Sequence, residues 1–424
     1  MMAPGGNSTK GPTPISVLQR MTCRDPGVRG RIWVAKVRFG VPGGVGVLKG
    51  ESGEREEEGE DDVRNTVFNA IQEMREPYDP YDDIHWDHKI GSHPLTAEWT
   101  GYRSAADANT PEPADVSEAQ KYECLMQETT SKITTLYFHG GAMYLLDPAT
   151  TRATTGRLAR ETGGRVFSVR YRLAPQNAFP AALLDAFTAY LTLLAPPAGS
   201  LHEAVAASEI VFAGDSAGGT CCTALLQLLL HLHRQAPAGQ VPRVRFHGKN
   251  VSIPLPAGVA LASPWLDITR GLPSIESAVA FDYLPAPSAL ATHEYPVEEG
   301  VWPAEPPRAD LYCEAGALLH PLVSPLAAKS WTGSPPLFFS VGHEMLRDED
   351  AVLAQRAVAQ NVPVVWREFE AMPHCFAMLL EGIAETQVHW EEFASFCRHV
   401  VQDRDSVVTN ETSNTHSNHK KDKR

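Results

Sequence analysis

A serine placed to attack a carbonyl is the first chemistry this chain offers. Gly214-Asp215-Ser216-Ala217-Gly218-Gly219 holds that serine among small residues in a G-x-S-x-G spacing, the pattern of a sharp strand-to-helix turn that lifts a hydroxyl clear of a sheet. The run Ile210-Val211-Phe212-Ala213 before it is short, apolar and partly β-branched, which predicts a buried strand. Ala217 to Leu230 is rich in Ala and Leu, which predicts a buried helix. The five-residue pattern alone is common by chance. A strand before it and a helix after it favour a nucleophile over an ordinary glycine turn.

Acyl transfer also builds negative charge on the carbonyl oxygen, and fixed backbone N–H groups aimed at that spot stabilise it. Upstream, Leu136-Tyr137-Phe138 runs as a strand into His139-Gly140-Gly141-Ala142. A glycine-rich loop can bring its amides close because no side chain blocks the approach. Gly141 and Ala142 would supply two donors from this loop, and Ala217, next after the serine, a third. A strand-end turn with an incidental histidine is the bland alternative; its place ahead of an elbow weighs against it. His139, Gly140 and Asp215 are expected to support these motifs. Asp215 is excluded as a reacting group, because a residue beside an elbow serine points away from it.

A serine at its free pKa is a poor nucleophile and needs an adjacent base that is itself oriented by an acid. Val364-Val365-Trp366-Arg367-Glu368-Phe369 is the last predicted strand, and Met372-Pro373-His374 follows it, with a helix beginning near Phe376. Any one of the 16 histidines is more often a surface or core residue than a base, but His374 combines a post-strand loop with a preceding proline. His343 is its competitor and is expected to face solvent. Two carboxylates follow late strands: Glu344, in Gly342-His343-Glu344-Met345-Leu346-Arg347-Asp348 after Pro336 to Val341, and Asp267, after Val259 to Ala262. Asp348 reads as the cap of a helix from near Glu349 to Gln360.

These motifs, in this order, resemble the hormone-sensitive-lipase-like branch of the α/β-hydrolases. The matching residues are His139-Gly140-Gly141-Ala142, Tyr171-Arg172-Leu173-Ala174-Pro175 with Phe179-Pro180-Ala181-Ala182, the Gly214–Gly219 elbow and Met372-Pro373-His374. Ser263-Pro264-Trp265-Leu266-Asp267 and His320-Pro321-Leu322-Val323-Ser324-Pro325 are in the same style, and the chain looks most similar to fungal esterases of that branch. The resemblance covers roughly Leu95 to Gln402. It implies an α/β-hydrolase fold: a mostly parallel central sheet with helices on both faces and a cap over the active site. It implies a serine carboxylic-ester hydrolase working through an acyl-enzyme without metal or organic cofactor. It favours Glu344 over Asp267 as the acid, giving a triad of Ser216, Glu344 and His374.

One departure from the family pattern stands at Ala142, where a third glycine is usual. The amide survives, and the methyl would narrow the acyl side of the pocket. The expected substrate is a short-chain, acetyl-like ester of a small apolar molecule, such as a fungal secondary metabolite. An acyltransferase would use the same machinery with an alcohol in place of water. Non-catalytic small-molecule receptors on this fold lose the base, so His374 argues against that class. Met143, Tyr144, Leu145, Trp265, Met372 and Phe376 flank the motifs and are as well suited to core as to pocket. Relatives often dimerise through an edge strand, so a homodimer is a candidate assembly.

Composition bounds the partners. The 424 residues are 43% hydrophobic and 21% charged, with a net charge of −14, ordinary for a soluble globular enzyme. That charge excludes a nucleic-acid groove, which needs a basic stripe. Much of the acid sits in Glu51 to Asp62, read as a solvated, disordered insertion at 50–62. Seven cysteines (Cys23, Cys124, Cys221, Cys222, Cys313, Cys375, Cys397) show no metal-ligand spacing. Their odd count without a signal-peptide design at the N-terminus predicts reduced thiols and an intracellular, cytoplasmic setting. No apolar run reaches the length of a membrane span.

The elements that must position the site follow from Thr134 onward, where strands and helices alternate. Residues 1–24 are read as loose, 25–402 as one hydrolase domain and 403–424 as a disordered tail. Ile32 to Phe39 alternates like a strand, Val63 to Met74 has helical spacing, and cap elements are expected within 25–94 and 277–318. Leu95 to Tyr102 reads as the first core strand, and Val116 to Gln127 as a helix. Arg172 and Asp185 are expected to pair as scaffold. Tyr283, Leu284 and Trp302 are placed over the substrate cavity.

Overall fold

The central strands of this chain are buried on both faces, and they separate the two main hydrophobic cores. In the computed structural model, residues 13–42, 62–75, 90–286, 295–305, 308 and 310–402 are described. Eight strands form the central sheet: β1 (Ile32–Arg38), β2 (Thr96–Tyr102), β3 (Thr134–Phe138), β4 (Arg165–Arg170), β5 (Ile210–Asp215), β8 (Gly258–Ala262), β9 (Leu337–Gly342) and β10 (Val364–Phe369). Their order is β1-β2-β4-β3-β5-β8-β9-β10. Only β2 runs against its neighbours β1 and β4; β4-β3-β5-β8-β9-β10 are parallel throughout. A small hairpin of β6 (Arg243–Phe246) and β7 (Lys249–Ser252) stands apart.

Side chains alternate across the sheet, as a two-residue period requires. Leu136, Phe138, Phe212, Leu261 and Phe339 enter one core, which also holds the buried residues of α5 (Ala181–Leu194) and α6 (Ala217–Gln235). Tyr137, Val211, Ala213, Ala260 and Phe338 enter the other, against Leu158 of α4 (Arg152–Thr162) and Trp390, Phe393 and Phe396 of α10 (Ala384–Gln402). All but the last residue of α5 is buried, as expected of a helix apolar on every side. It is covered in turn by α2 (Asp62–Glu73), which also packs on α6 and β6.

The predicted strands and long helices lie where the pattern placed them, and three differences stand out. Residues 1–24 were expected to be loose, yet α1 (Ile15–Thr22) is a helix with Ile15 fully buried. It is too short to be stable alone, so its order comes from packing, which composition does not show. Leu95 to Tyr102 supplies the second strand rather than the first, because β1 pairs alongside it at the sheet edge. The described regular elements within 25–94, where cap elements were expected, are an edge strand and a helix packed outside α5 and α6. Of the acidic run, only Asp62 is described, and it opens α2. The rest of that run, residues 1–12 and the tail from 403 lie outside the described residues.

The remaining elements carry the site. α3 (Glu118–Glu128) begins at a capping box from Ser117 and Gln120. α7 (Ser274–Ser277) leads into the 277–318 excursion, and α8 (Arg347–Ala359) and α9 (Phe376–Leu379) follow β9 and β10. Asp348 lies in the first turn of α8 rather than at its cap, and its carboxylate accepts from the Ser274 amide at 3.0 Å. Among the described residues no helix is long and apolar enough to cross a membrane.

Candidate active site

Because β3, β5, β8, β9 and β10 are parallel, the loops at their carboxyl ends gather on one edge of the sheet, where open α/β sheets bind ligands. Those loops carry His139, Ser216, Ser263, Glu344 and His374. Ser216 sits between β5 and α6 with φ 51° and ψ −122°, a region that L-residues rarely adopt and that persists only where packing fixes it. Tight neighbours explain the glycines. A Cβ on Gly214 would stand 2.6 Å from the Gly218 backbone, and one on Gly140 would stand 3.1 Å from the Ser216 Cβ.

The three residues expected to act together are in line. His374 Nε2 lies 2.9 Å from Ser216 Oγ, and His374 Nδ1 lies 2.5 Å from Glu344 Oε2. His374 and Glu344 are buried, while Ser216 is half-buried. Asp267, the competing acid, is engaged elsewhere: its carboxylate accepts from the Thr269 amide and hydroxyl and from the Gly271 amide, bracing its own turn. His343 stacks on Phe281 at 4.7 Å and is half-buried.

Electrostatics separate the histidines. Burial opposes a charge on His374, but negative charge at Cys375 or Glu344 favours one, and the balance raises its pKa well above the ordinary imidazole value. Burial pushes the Cys375 thiol up to about 11, so it is neutral at pH 7, and the Glu344 carboxylate is the charge that counts. His139 is the reverse case. Burial lowers it to about 4, and it stacks on Tyr171 at 4.4 Å with Nδ1 2.8 Å from the Gly140 carbonyl. It is a neutral structural group.

The loop after β3 is tied to the elbow. Asp215 accepts from the Tyr137 hydroxyl, so its carboxylate faces away from the Ser216 hydroxyl, and a Cβ on Gly140 would press against it. The Tyr171 hydroxyl donates to the His139 carbonyl at 2.7 Å and to that of Gly140 at 3.2 Å. The Gly141 and Ala142 amides have no backbone acceptor among the described residues. Ala217, as the first residue of α6, has none within its helix. Arg172 and Asp185 pair at 2.9 Å.

Of the flanking residues, Met143 is buried, and the Tyr144 hydroxyl lies 2.9 Å from that of Tyr295. The Trp265 amide donates to the Ser216 carbonyl at 2.9 Å, which makes it a brace of the elbow. Phe376 belongs to the core, packed between Phe369 and His389. Tyr283 stands 5.9 Å from the His374 ring, ring to ring. Leu284 packs on the core margin. Trp302 pairs by backbone with Glu298.

Two contributors were missed. Ser263 donates from Oγ to Glu344 Oε1 at 2.5 Å and accepts the Cys375 amide at 3.1 Å, joining Glu344 to the loop that carries His374. Its position just after β8 in Ser-Pro-Trp was the available signal. Asp282 accepts the amides of Met345 at 2.9 Å and His374 at 3.4 Å; nothing in its irregular stretch marked it.

Comparison with known proteins agrees with this geometry. A family model described as the alpha/beta hydrolase fold matches residues 135–378. An acetyl-hydrolase of Streptomyces hygroscopicus is 30% identical over 242 residues, 57% of this chain and 67% of that protein. An esterase of Acinetobacter venetianus is 27% identical over 262 residues, 61% of this chain and 73% of its own. Among solved structures, a hormone-sensitive lipase from a metagenome library superposes with a TM-score of 0.53 at 26% identity, covering 72% of this chain and 81% of that one. With the family model matched over more than half its length, the chain belongs to the α/β-hydrolase fold family, in its hormone-sensitive-lipase-like branch.

Proposed function

We propose that this carboxylic ester hydrolase cleaves short-chain esters through an acyl-enzyme on Ser216. Ser216 Oγ attacks the ester carbonyl while His374 Nε2 takes its proton. Glu344 holds the Nδ1–H and stabilises the imidazolium. The Gly141, Ala142 and Ala217 amides receive the oxyanion. His374 returns the proton to the departing alcohol, and a water activated by the same imidazole then releases the acid. The observation that carries this reading is the unbroken line from Ser216 Oγ through His374 to Glu344 at 2.9 and 2.5 Å.

Two considerations support short acyl groups: a methyl at Ala142, where the family pattern has glycine, would narrow the acyl side of the pocket, and the Streptomyces relative is named an acetyl-hydrolase. The alcohol part is read as a small apolar molecule, such as a secondary metabolite. A p-nitrophenyl ester series from acetate upward tests the reading. The shortest esters should give the highest kcat/KM, and Ser216→Ala should lower it by several orders of magnitude. Wild-type turnover by that variant would end the mechanism.

A further inference from the structure

The loop expected to bind the oxyanion is conformationally costly and is held from outside. Gly141, Ala142, Met143 and Leu146 have φ of 101°, 52°, 67° and 69°. Three of them carry side chains, for which this region is unfavourable. Inside the loop, the Tyr144 and Leu145 amides both donate to the Gly141 carbonyl, at 3.0 and 2.8 Å. The Ala174 amide donates to the Met143 carbonyl at 2.9 Å.

Further holds come from α1 and the residue that ends it. Gln19 Nε2 donates to the Tyr144 carbonyl at 3.1 Å and to the Ala174 carbonyl at 2.9 Å. Thr22 Oγ1 accepts the Leu146 amide at 3.3 Å and donates to the Leu18 carbonyl at 2.9 Å. Cys23 Sγ donates to the Leu146 carbonyl at 3.2 Å. Ser16 hydrogen-bonds Glu298 in the excursion, so the helix is pinned on both sides. An eight-residue helix remote in sequence from the triad thus supplies side-chain partners to Tyr144, Leu146 and Ala174.

Building on the proposed role of the Gly141 and Ala142 amides, we propose that α1 is a positioning element for the oxyanion loop, with Gln19 and Thr22 fixing where those amides point. Such a role has a kinetic signature. Misaligned donors weaken the transition state and leave ground-state binding nearly untouched. An error of about an ångström in such a site costs on the order of a hundredfold in rate.

The test uses the full chain with Gln19→Leu, Thr22→Val and Thr22→Ser, assayed on p-nitrophenyl acetate and on an aryl trifluoromethyl ketone, whose serine adduct places an oxyanion in the hole. Gln19→Leu and Thr22→Val should lower kcat by about tenfold to a hundredfold, with the ketone inhibition constant rising in step. KM should stay within about twofold and the acid limb of the pH profile unmoved. Thr22→Ser, which keeps the hydroxyl, should stay near wild type. Wild-type kcat in both Gln19→Leu and Thr22→Val, a loss carried by KM, or a shifted acid limb would overturn the proposal. If Gln19→Leu fails to fold, the contrast between Thr22→Val and Thr22→Ser decides it. Turnover surviving in Ser216→Ala would instead sink the proposed function, a separate outcome.

Discussion

Ser263 Oγ donates to Glu344 Oε1, the oxygen that also receives the Gly342 amide, while Glu344 Oε2 faces His374. The carboxylate is therefore fixed through one oxygen and free to orient the imidazole with the other. Ser263→Ala removes that donor and leaves the buried Cys375 amide without its acceptor. We expect destabilisation of about 1–3 kcal/mol and a fall in kcat of roughly tenfold, since a loosened acid orients the base less well. Thermal unfolding and steady-state kinetics on the same sample check both.

Glu344→Gln should change the pH profile in a defined direction. Turnover requires the neutral imidazole, so the acid limb of kcat/KM follows the pKa of His374. Burial pulls that pKa down and the Glu344 charge pushes it up. With the charge gone, burial prevails, the limb moves to lower pH, and the plateau drops by about three to four orders of magnitude from the wrong tautomer. Asp267→Asn, altering only a turn brace, should leave the plateau within a few-fold of wild type. The reverse ranking would transfer the role of the acid.

Much of this arrangement was legible in the chain. Buried strands are short apolar runs and the elbow is a local pattern, so β5, Ser216 and α6 follow from neighbouring residues. His374 and Glu344 were reachable because loops after parallel strands converge. Choosing Glu344 over Asp267 needed family order, since each follows a strand; only the contacts of Asp267 with Thr269 and Gly271 show what it does instead. Gln19, Ser263 and Asp282 act on groups 81 to 125 residues away in sequence, judged by their contacts with Tyr144, Glu344 and His374. Such partnerships leave no periodicity to read. Phe376 suited core and pocket equally in the sequence, and only its packing shows its ring in the second core.

Ala142→Gly should widen the acyl side of the site. The position already has φ 52°, which glycine adopts without strain, so stability should not fall. The ratio of kcat/KM for butyrate over acetate should rise several-fold, read from the same p-nitrophenyl series. An unchanged ratio would remove Ala142 from the specificity argument.

Gly140→Ala tests the close approach at the nucleophile. The added methyl would stand 3.1 Å from the Ser216 Cβ and against the Asp215 carboxylate, so either the elbow or the loop after β3 must shift. We expect kcat/KM to fall by at least about a hundredfold, while circular dichroism keeps the native spectrum.

Cys375 offers a chemical control. Its thiol lies 3.5 Å from His374 Nε2 but is buried and pushed up to about 11, so it lacks the thiolate that alkylation needs. Iodoacetamide at pH 7.5 should mark the half-buried Cys124 ahead of Cys375, as peptide mass mapping would show.

The central claim is that Ser216 is the group that takes the acyl chain. The most direct measurement is intact and peptide mass after treatment with diethyl p-nitrophenyl phosphate, which phosphorylates an activated serine. The account predicts loss of activity in step with a single diethylphosphoryl adduct on the peptide containing Ser216, and no adduct in Ser216→Ala. Inactivation with the adduct on another residue would contradict it.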